Sequence, residues 1–330
     1  MRRREFISLF FGATAMGPLA RAQPTEKMRR IGVLMAHRED DPEFQEYLGA
    51  FRQGLKRFGW IEGTNYRLET RWGALDDAQV RQRSAKELLS VNPDIILTQN
   101  TPPTASMLQE TRTVPVVFVI VADPVGSGFV KSLSRPGGNA TGFTIMEPTT
   151  SGKWLELLKD VAPQTKRAAF LFNPRTAPYA NYYLGPFKAA AVSLGVEAVT
   201  LIVENTSDLQ TVFAAQAEIP NTGLIMMPDG FLNVHRTEVV SLAARYHLPA
   251  IYPWKFFTEL GGLMSYGFDQ REFFVSAATY IDRILKGEKP ADLPVQAPAK
   301  YELVINRGAA KALGLTLSMS LLGRADDLID

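Results

Sequence analysis

The sequence predicts an α/β protein built from doubly wound parallel sheets in two similar lobes. Three observations carry that reading. Short, almost continuously apolar runs recur along the chain, as in strands buried on both faces. Stretches with apolar residues at helical spacing lie between them, so strand and helix alternate. The chain also resembles itself: residues 47–59 (YLGAFRQGLKRFG) align without gaps on 183–195 (YLGPFKAAAVSLG), sharing Tyr, Leu, Gly, Phe and the final Gly, with Arg52 answered by Lys188. Each copy follows one strand and precedes another, as the first helix of a βαβ unit does. The lobe boundary then falls near 143–148.

The chain opens with MRRREFISLFFGATAMGPLARA, which has the three parts of an export signal: Arg2, Arg3 and Arg4, a short apolar run over 7–19, and Ala20-Arg21-Ala22 as an A-x-A cleavage site. The mature chain is expected to begin near Gln23. Arg3-Arg4-Glu5-Phe6-Ile7 follows the twin-arginine pattern R-R-x-F-L, although ordinary Sec export fits the same layout. The apolar run falls short of the roughly 20 residues a spanning helix needs.

Strands are expected at 31–35 (IGVLM), 94–98 (DIILT), 116–121 (VVFVIV), 167–172 (RAAFLF), 198–203 (AVTLIV), 223–227 (GLIMM) and 263–266 (LMSY). Helices are expected at 43–58, 77–90, 153–161, 182–194, 208–217, 234–246 and 271–286. Asp76-Asp77 and Thr206-Ser207-Asp208 supply side-chain oxygens able to accept first-turn N–H groups.

Composition narrows the class. The signal would carry four Arg and one Glu of the 36 basic and 34 acidic residues, leaving 32 against 33 in the mature part. That balance offers no footprint for nucleic acid. The chain has no cysteine, which excludes disulfides, thiolate-ligated metals, thiol catalysis and a lipidated N-terminal Cys. An exported chain of this length must therefore be held by its core, and without a lipid anchor it is expected free in the periplasm.

In open parallel sheets, ligands bind beyond the carboxyl ends of strands. Those ends are 98–103 (TQNTPP), 123–128 (DPVGSG), 173–179 (NPRTAPY) and 228–230 (PDG). Their hydroxyls and following helix N-termini suit a ligand carboxylate, while Asp123 or Asp229 suits an ammonium group. The same residue types also cap helices and build turns.

Enzymatic motifs are missing: no G-x-S-x-G, P-loop or G-x-G-x-x-G occurs. His37, in His37-Arg38-Glu39-Asp40-Asp41, reads as part of a solvated loop after the first strand. His235 and Glu238 share a helix face but do not make a metal site, and His247 reads as a helix end. Trp60, Trp72 and Trp154 read as packing residues. Trp254, two residues after Tyr252, is either an aromatic wall or a core side chain.

Residues 122–133 (ADPVGSGFVKSL) followed by 135–142 (RPGGNATG) match the pattern DPVGxGxVxSLxxPGGNxTG almost letter by letter, with further matches at 94–97, 265–267 (SYG), 301–306 (YELVIN) and 309–315 (AAKALGL). On these, the chain resembles the periplasmic substrate-binding proteins of ABC importers, the tryptophan/tyrosine-type branch, from about 30 to 317. The resemblance implies a type I binding protein whose two lobes, joined by hinge strands, close on a small carboxylate-bearing molecule and deliver it to a membrane permease. It implies a monomer with no cofactor, no metal and no catalysis; a periplasmic sensor or an enzyme on the same lobes are the alternatives. Lobe 1 would span 28–147 and about 269–299, lobe 2 148–268 and about 300–320, with 321–330 a C-terminal tail. The family's ligand-facing positions map onto Thr98, Asn100, Thr101, Asp123, Thr144, Asn173, Tyr179, Asn181, Asp229 and Tyr266. Departures occur at Asn100, where the family commonly has Ala, and at 174–178 (PRTAP), where it has small hydroxyl and acidic residues. An Arg at 175 is suited to a second anionic group on the ligand.

Overall fold

The structure, a computed structural model, describes residues 28–330 apart from positions 74 and 76. The export signal and Asp76 lie outside the described residues.

A five-stranded sheet is made by β1 (Arg29–Leu34), β2 (Tyr66–Arg71), β3 (Ile95–Gln99), β4 (Val116–Val121) and β5 (Ala140–Thr144), all parallel, in the order β2-β1-β3-β4-β5. Its alternating residues divide between two apolar layers, as the strand period of two requires. Ile31, Val33, Ile95 and Leu97 join the cluster of α1 (Pro42–Arg57) and α10 (Gln270–Leu285). Leu34, Ile96 and Phe118 pack instead with Ala85, Leu88 and Met107 of α2 (Ala78–Ser90) and α3 (Thr101–Glu110).

A seven-stranded sheet holds β6 (Arg167–Phe172), β7 (Glu197–Ile202), β8 (Thr222–Met226), β9 (Ala250–Tyr252), β10 (Met264–Gly267), β11 (Glu302–Asn306) and β12 (Asp327–Ile329), in the order β12-β11-β10-β9-β8-β6-β7. Only β10 and β11 run antiparallel. Its helices are α4 (Thr150–Val161), α5 (Ala180–Leu194), α6 (Thr206–Ala217), α7 (Gly230–Val234), α8 (Arg236–Arg245), α9 (Lys255–Glu259), α11 (Arg307–Ala312) and α12 (Met319–Leu322). Trp154 is fully buried in this body, its indole N–H donating to the Tyr266 carbonyl at 2.7 Å.

The doubly wound, two-lobe class predicted from the sequence is the one observed. The order β2-β1-β3-β4-β5 recurs as β7-β6-β8-β9-β10, and the repeated segments are α1 and α5, each crossing from the first strand of its sheet to the second. Their shared final glycines, Gly59 (φ 85°) and Gly195 (φ 62°), take the left-handed conformation that ends a helix without a Cβ clash.

The chain passes between the sheets at 145–149, at 268–269 and over 293–301. The last passage first runs beside β5: the Gln296 N–H donates to the Gly142 carbonyl at 3.0 Å, and the Thr144 N–H to the Gln296 carbonyl at 2.8 Å. Residues 321–330, expected as a tail, include β12, paired in parallel with β11. At the start of α6, the cap is Asn205 rather than a residue of 206–208. Its side chain accepts the Asp208 N–H while the Asp208 carboxylate accepts the Asn205 N–H, a reciprocal capping box.

Candidate ligand-binding cleft

The two sheets meet along their carboxyl edges. Asp41 caps α1 by accepting the Glu43 N–H, and its carboxylate also takes both terminal nitrogens of Arg236, at 2.8 and 3.0 Å. Arg236 opens α8 of the other lobe, also donates to the Asn233 carbonyl at 3.0 Å, and lies 5.5 Å from the Phe256 ring centre. A second contact joins Leu75, in the segment after β2, to Gly230 at the start of α7. A Cβ on Gly230 would stand 2.3 Å from a Leu75 methyl, so the absence of a side chain lets the lobes approach.

His37 was expected in a solvated loop. It is instead 2% exposed, stacked on Phe44 with ring centres 3.5 Å apart. The α1 start folds back over β1, and the flat imidazole covers the Phe44 ring. Burial, aided by the positive charge of Arg236, holds its pKa down to about 3, so the ring is neutral at ordinary pH. Among the described residues, its Nδ1 has no hydrogen-bond partner.

On the first lobe, the sequence-selected residues gather at the ends of β3, β4 and β5. Asn100 (φ 76°) caps α3, its side chain accepting the Thr101 N–H at 2.7 Å. Thr101 accepts the Ala122 N–H at 3.0 Å, tying α3 to the end of β4. Thr98 shares a 2.8 Å hydrogen bond with Thr104, and Thr144 donates to the Val121 carbonyl at 2.8 Å. Asp123 (φ 41°) folds its own turn by accepting the Gly126 N–H at 2.8 Å. Just before it, Ile120 sits at φ 59° where the β4–β5 register shifts, a costly conformation for a β-branched residue.

On the second lobe, Asn173, Tyr179 and Asp229 form one buried knot after β6 and β8. The Asp229 carboxylate accepts the Asn173 N–H at 2.6 Å, the Phe231 N–H at 3.0 Å and the Thr176 hydroxyl. Tyr179 donates to the Pro228 carbonyl at 2.6 Å, and the Asn173 amide donates to the Glu204 carbonyl at 3.2 Å. Arg175 is exposed, and its guanidinium is tied to that same Glu204 carbonyl at 2.7 Å. Asn181, on the first turn of α5, is exposed. Tyr266, on β10 just before the 268–269 crossing, is stacked on Tyr301 with ring centres 5.4 Å apart. Asp123 comes close to the second lobe: burial first, then the Asp123 charge, pushes the Tyr182 phenol up to about 12.

A cavity of about 310 Å³ opens between α1 of one lobe and α9, β10 and β11 of the other, beside the 268–269 crossing. Trp254, Ser265 and Gln270 line it, each with a buried side-chain polar atom that has no partner among the described residues: Nε1, Oγ and Nε2. Of these three, sequence reasoning singled out Trp254 alone. The signal was available, since β9 runs into Trp254 and β10 into Gln270, the same carboxyl-end rule that selected the other loops. Among the described residues, no group of three or more His, Asp or Glu could hold a metal ion, and no helix is long and apolar enough to cross a membrane.

A protein-family model described as ABC transporter substrate binding protein matches residues 33–329. A curated relative, a tyrosine-binding protein of Clostridioides difficile, is 25% identical over 294 residues, 88% of this chain and 82% of that protein. The crystal structure of an ABC domain in complex with L-Trp from Streptococcus pneumoniae superposes with a TM-score of 0.84 at 26% identity, covering 92% of this chain and 100% of the other. A conserved domain protein from Vibrio cholerae gives a TM-score of 0.84 at 27% identity, with the same coverage.

Proposed function

Since the chain belongs to the family of ABC transporter substrate-binding proteins, we propose that it captures an amino acid, aromatic ones foremost, between its lobes outside the cytoplasm and hands it unchanged to a membrane permease. The observation that supports this reading is the meeting of the lobes along their carboxyl edges, joined by the Asp41–Arg236 ion pair, with the loops after β3, β4, β6 and β8 on those edges. Relatives described as binding tyrosine and L-Trp support the amino-acid cargo. The signal-like first 22 residues support export, with a mature chain beginning near Gln23.

Function then follows from a hinge equilibrium. A ligand touching both lobes stabilises the closed form by its difference in affinity for the two forms. Micromolar binding supplies roughly 8 kcal/mol, ample against a hinge equilibrium of a few kcal/mol. Thr98, Asn100, Thr101, Asp123, Thr144, Asn173, Tyr179, Asn181, Asp229 and Tyr266 are proposed to shape or contact the ligand's seat, most of the buried ones by fixing the loops that surround it. Arg175 is left out of that set, because its guanidinium is engaged by its own lobe.

A thermal-shift screen of residues 23–330, refolded to remove any carried ligand, tests the reading. A ligand at 100 times its Kd adds about 2.7 kcal/mol, a shift of several degrees. Stabilisation by amino acids and recovery of the compound unaltered are the expected results. Silence with every amino acid, or turnover of the bound compound, overturns the proposal.

A further inference from the structure

Left-handed backbone is uncommon outside glycine, and where it occurs it has a cause. Asn92, Asn221 and His247 adopt it in the ordinary place, where a helix has ended and the chain turns toward the next strand. Asn100 (φ 76°), Ile120 (φ 59°) and Asp123 (φ 41°) adopt it at the ends of β3 and β4 instead, and among the described residues the carboxyl edge of the second lobe has no counterpart. Asn100 is the extreme case, since its ψ of 158° puts it in a region that is essentially glycine's own. Its backbone is held there from several sides. The N–H donates to the Val119 carbonyl at 2.9 Å, and the carbonyl accepts both the N–H and the hydroxyl of Thr104, at 3.2 and 2.7 Å.

The strain places a side chain. Asn100 is 5% exposed, and its Oδ1 takes the Thr101 N–H at 2.7 Å, which fixes which way the amide points. The NH2 can only donate. Among the described residues it has no partner, yet it stays open to water, unlike the sealed atoms of His37, Trp254, Ser265 and Gln270. The backbone at the start of α3 has no donor left to offer beside it. The Thr101 N–H is taken by Asn100, Pro102 and Pro103 have none, and the Thr104 N–H returns to the Asn100 carbonyl. The side-chain NH2 stands where helix N–H groups would otherwise face a ligand.

Sheet order puts this group in the middle of the seam. The end of β3 lies between β1 and β4. On the β1 and β2 side, Asp41 reaches Arg236 and Leu75 reaches Gly230; on the β4 side, Asp123 stands near Tyr182 of the other lobe. Resting on the amino-acid cargo proposed above, we infer that Asn100 is a specificity-determining residue of this cleft, its NH2 donating to an acceptor oxygen of the cargo. An ammonium cannot accept, so that oxygen belongs to the α-carboxylate or to an oxygen-bearing side chain of the amino acid. A molecule with no acceptor there leaves the NH2 unpaired as the lobes shut water out, and is rejected for that reason.

Titration calorimetry and ligand-free melting of the wild-type mature chain, Asn100→Gly and Asn100→Asp test this. The probes are the twenty amino acids and, for the tightest of them, the amine that lacks its carboxylate. Asn100→Gly deletes the donor and relieves the strained backbone. It is expected to weaken Kd about tenfold or more while melting no lower than wild type, an opposition that a purely structural residue would not produce. Asn100→Asp keeps the size and the cap oxygen but cannot donate, so it should melt close to wild type and lose a similar factor in Kd. It carries the test if Asn100→Gly fails to fold. A loss confined to the amino acid assigns the acceptor to the α-carboxylate, and an equal loss with the amine assigns it to the side chain. Kd within about twofold of wild type in both variants overturns the assignment of Asn100 while leaving the amino-acid reading intact. Failure of the wild type to bind any amino acid overturns both.

Discussion

At the scale of single residues, the seam between the lobes holds groups whose ionisation and hydrogen bonding are set by burial. Folded His37 resists protonation down to about pH 3, whereas an unfolded His takes up its proton near 6.5. Its folded pKa is therefore depressed: the stability it permits is fully present above pH 6.5 and is lost as pH falls from 6.5 toward 3, at about 1.4 kcal/mol per pH unit. Glu43, with a raised pKa, works in the opposite sense, so the difference between two proteins isolates the histidine. His37→Phe preserves the stack on Phe44 and removes the titration. Its melting temperature should fall less steeply than wild type between pH 6.5 and 4, and parallel curves would refute the assignment. Asp229 makes a different point. Its carboxylate is an obvious partner for a ligand ammonium on sequence grounds, yet it already accepts from Asn173, Phe231 and Thr176 inside its own lobe. Asp229→Ala strands those buried donors at about 1–3 kcal/mol each. The ligand-free protein should melt several degrees lower, and an unchanged melting temperature would contradict this structural role.

Among the elements, the starts of α1 and α8 decide how firmly the lobes stay together. Asp41 and Arg236 form a two-pronged ion pair with side-chain exposures of 15% and 19%, shielded enough from water to matter. Arg236→Ala leaves Asp41 half-buried and unpaired, costing the closed form about 2 kcal/mol. Ligand affinity should drop by about an order of magnitude or more. Arg236→Lys should recover only part of it, since an ammonium cannot reproduce the planar fork. Equal Kd values for wild type and Arg236→Ala would show that the pair does not hold the cleft. Element boundaries also explain what was and was not legible in the sequence. Most strands found from composition are central ones, apolar on both faces; the edge strand β7 was found on its apolar run, while the central β9, three residues long, and β5 (ATGFT) were not. β2 (YRLETR) escaped notice because only Tyr66 and Leu68 in it are apolar, as a partly buried edge strand allows. α3 escaped because Thr101-Pro102-Pro103 reads as a loop, although proline is tolerated in a first turn where its missing N–H has no partner to lose.

For the molecule as a whole, the α/β class and the two lobes were readable because strand–helix alternation and a duplicated helix are local signals. The duplication becomes a repeated strand order once the chain folds. The site was readable only in outline. The carboxyl-end rule found the right edge of both sheets, but a side-chain oxygen that builds its own loop, as in Thr98 or Asp229, has the same sequence signature as one left for a ligand. Ser265 and Gln270 stand out only after folding has shut water away from them. The proposed function is thus of two lobes that close on an amino acid, with Asp41–Arg236 and Leu75–Gly230 among the contacts that join them. Small-angle X-ray scattering of the ligand-stripped mature protein, recorded with and without a saturating aromatic amino acid, tests it most directly. The account requires a smaller radius of gyration when the amino acid is present and a return to the larger value when it is dialysed away. Identical scattering in the two states, with binding verified by calorimetry in the same samples, would contradict it.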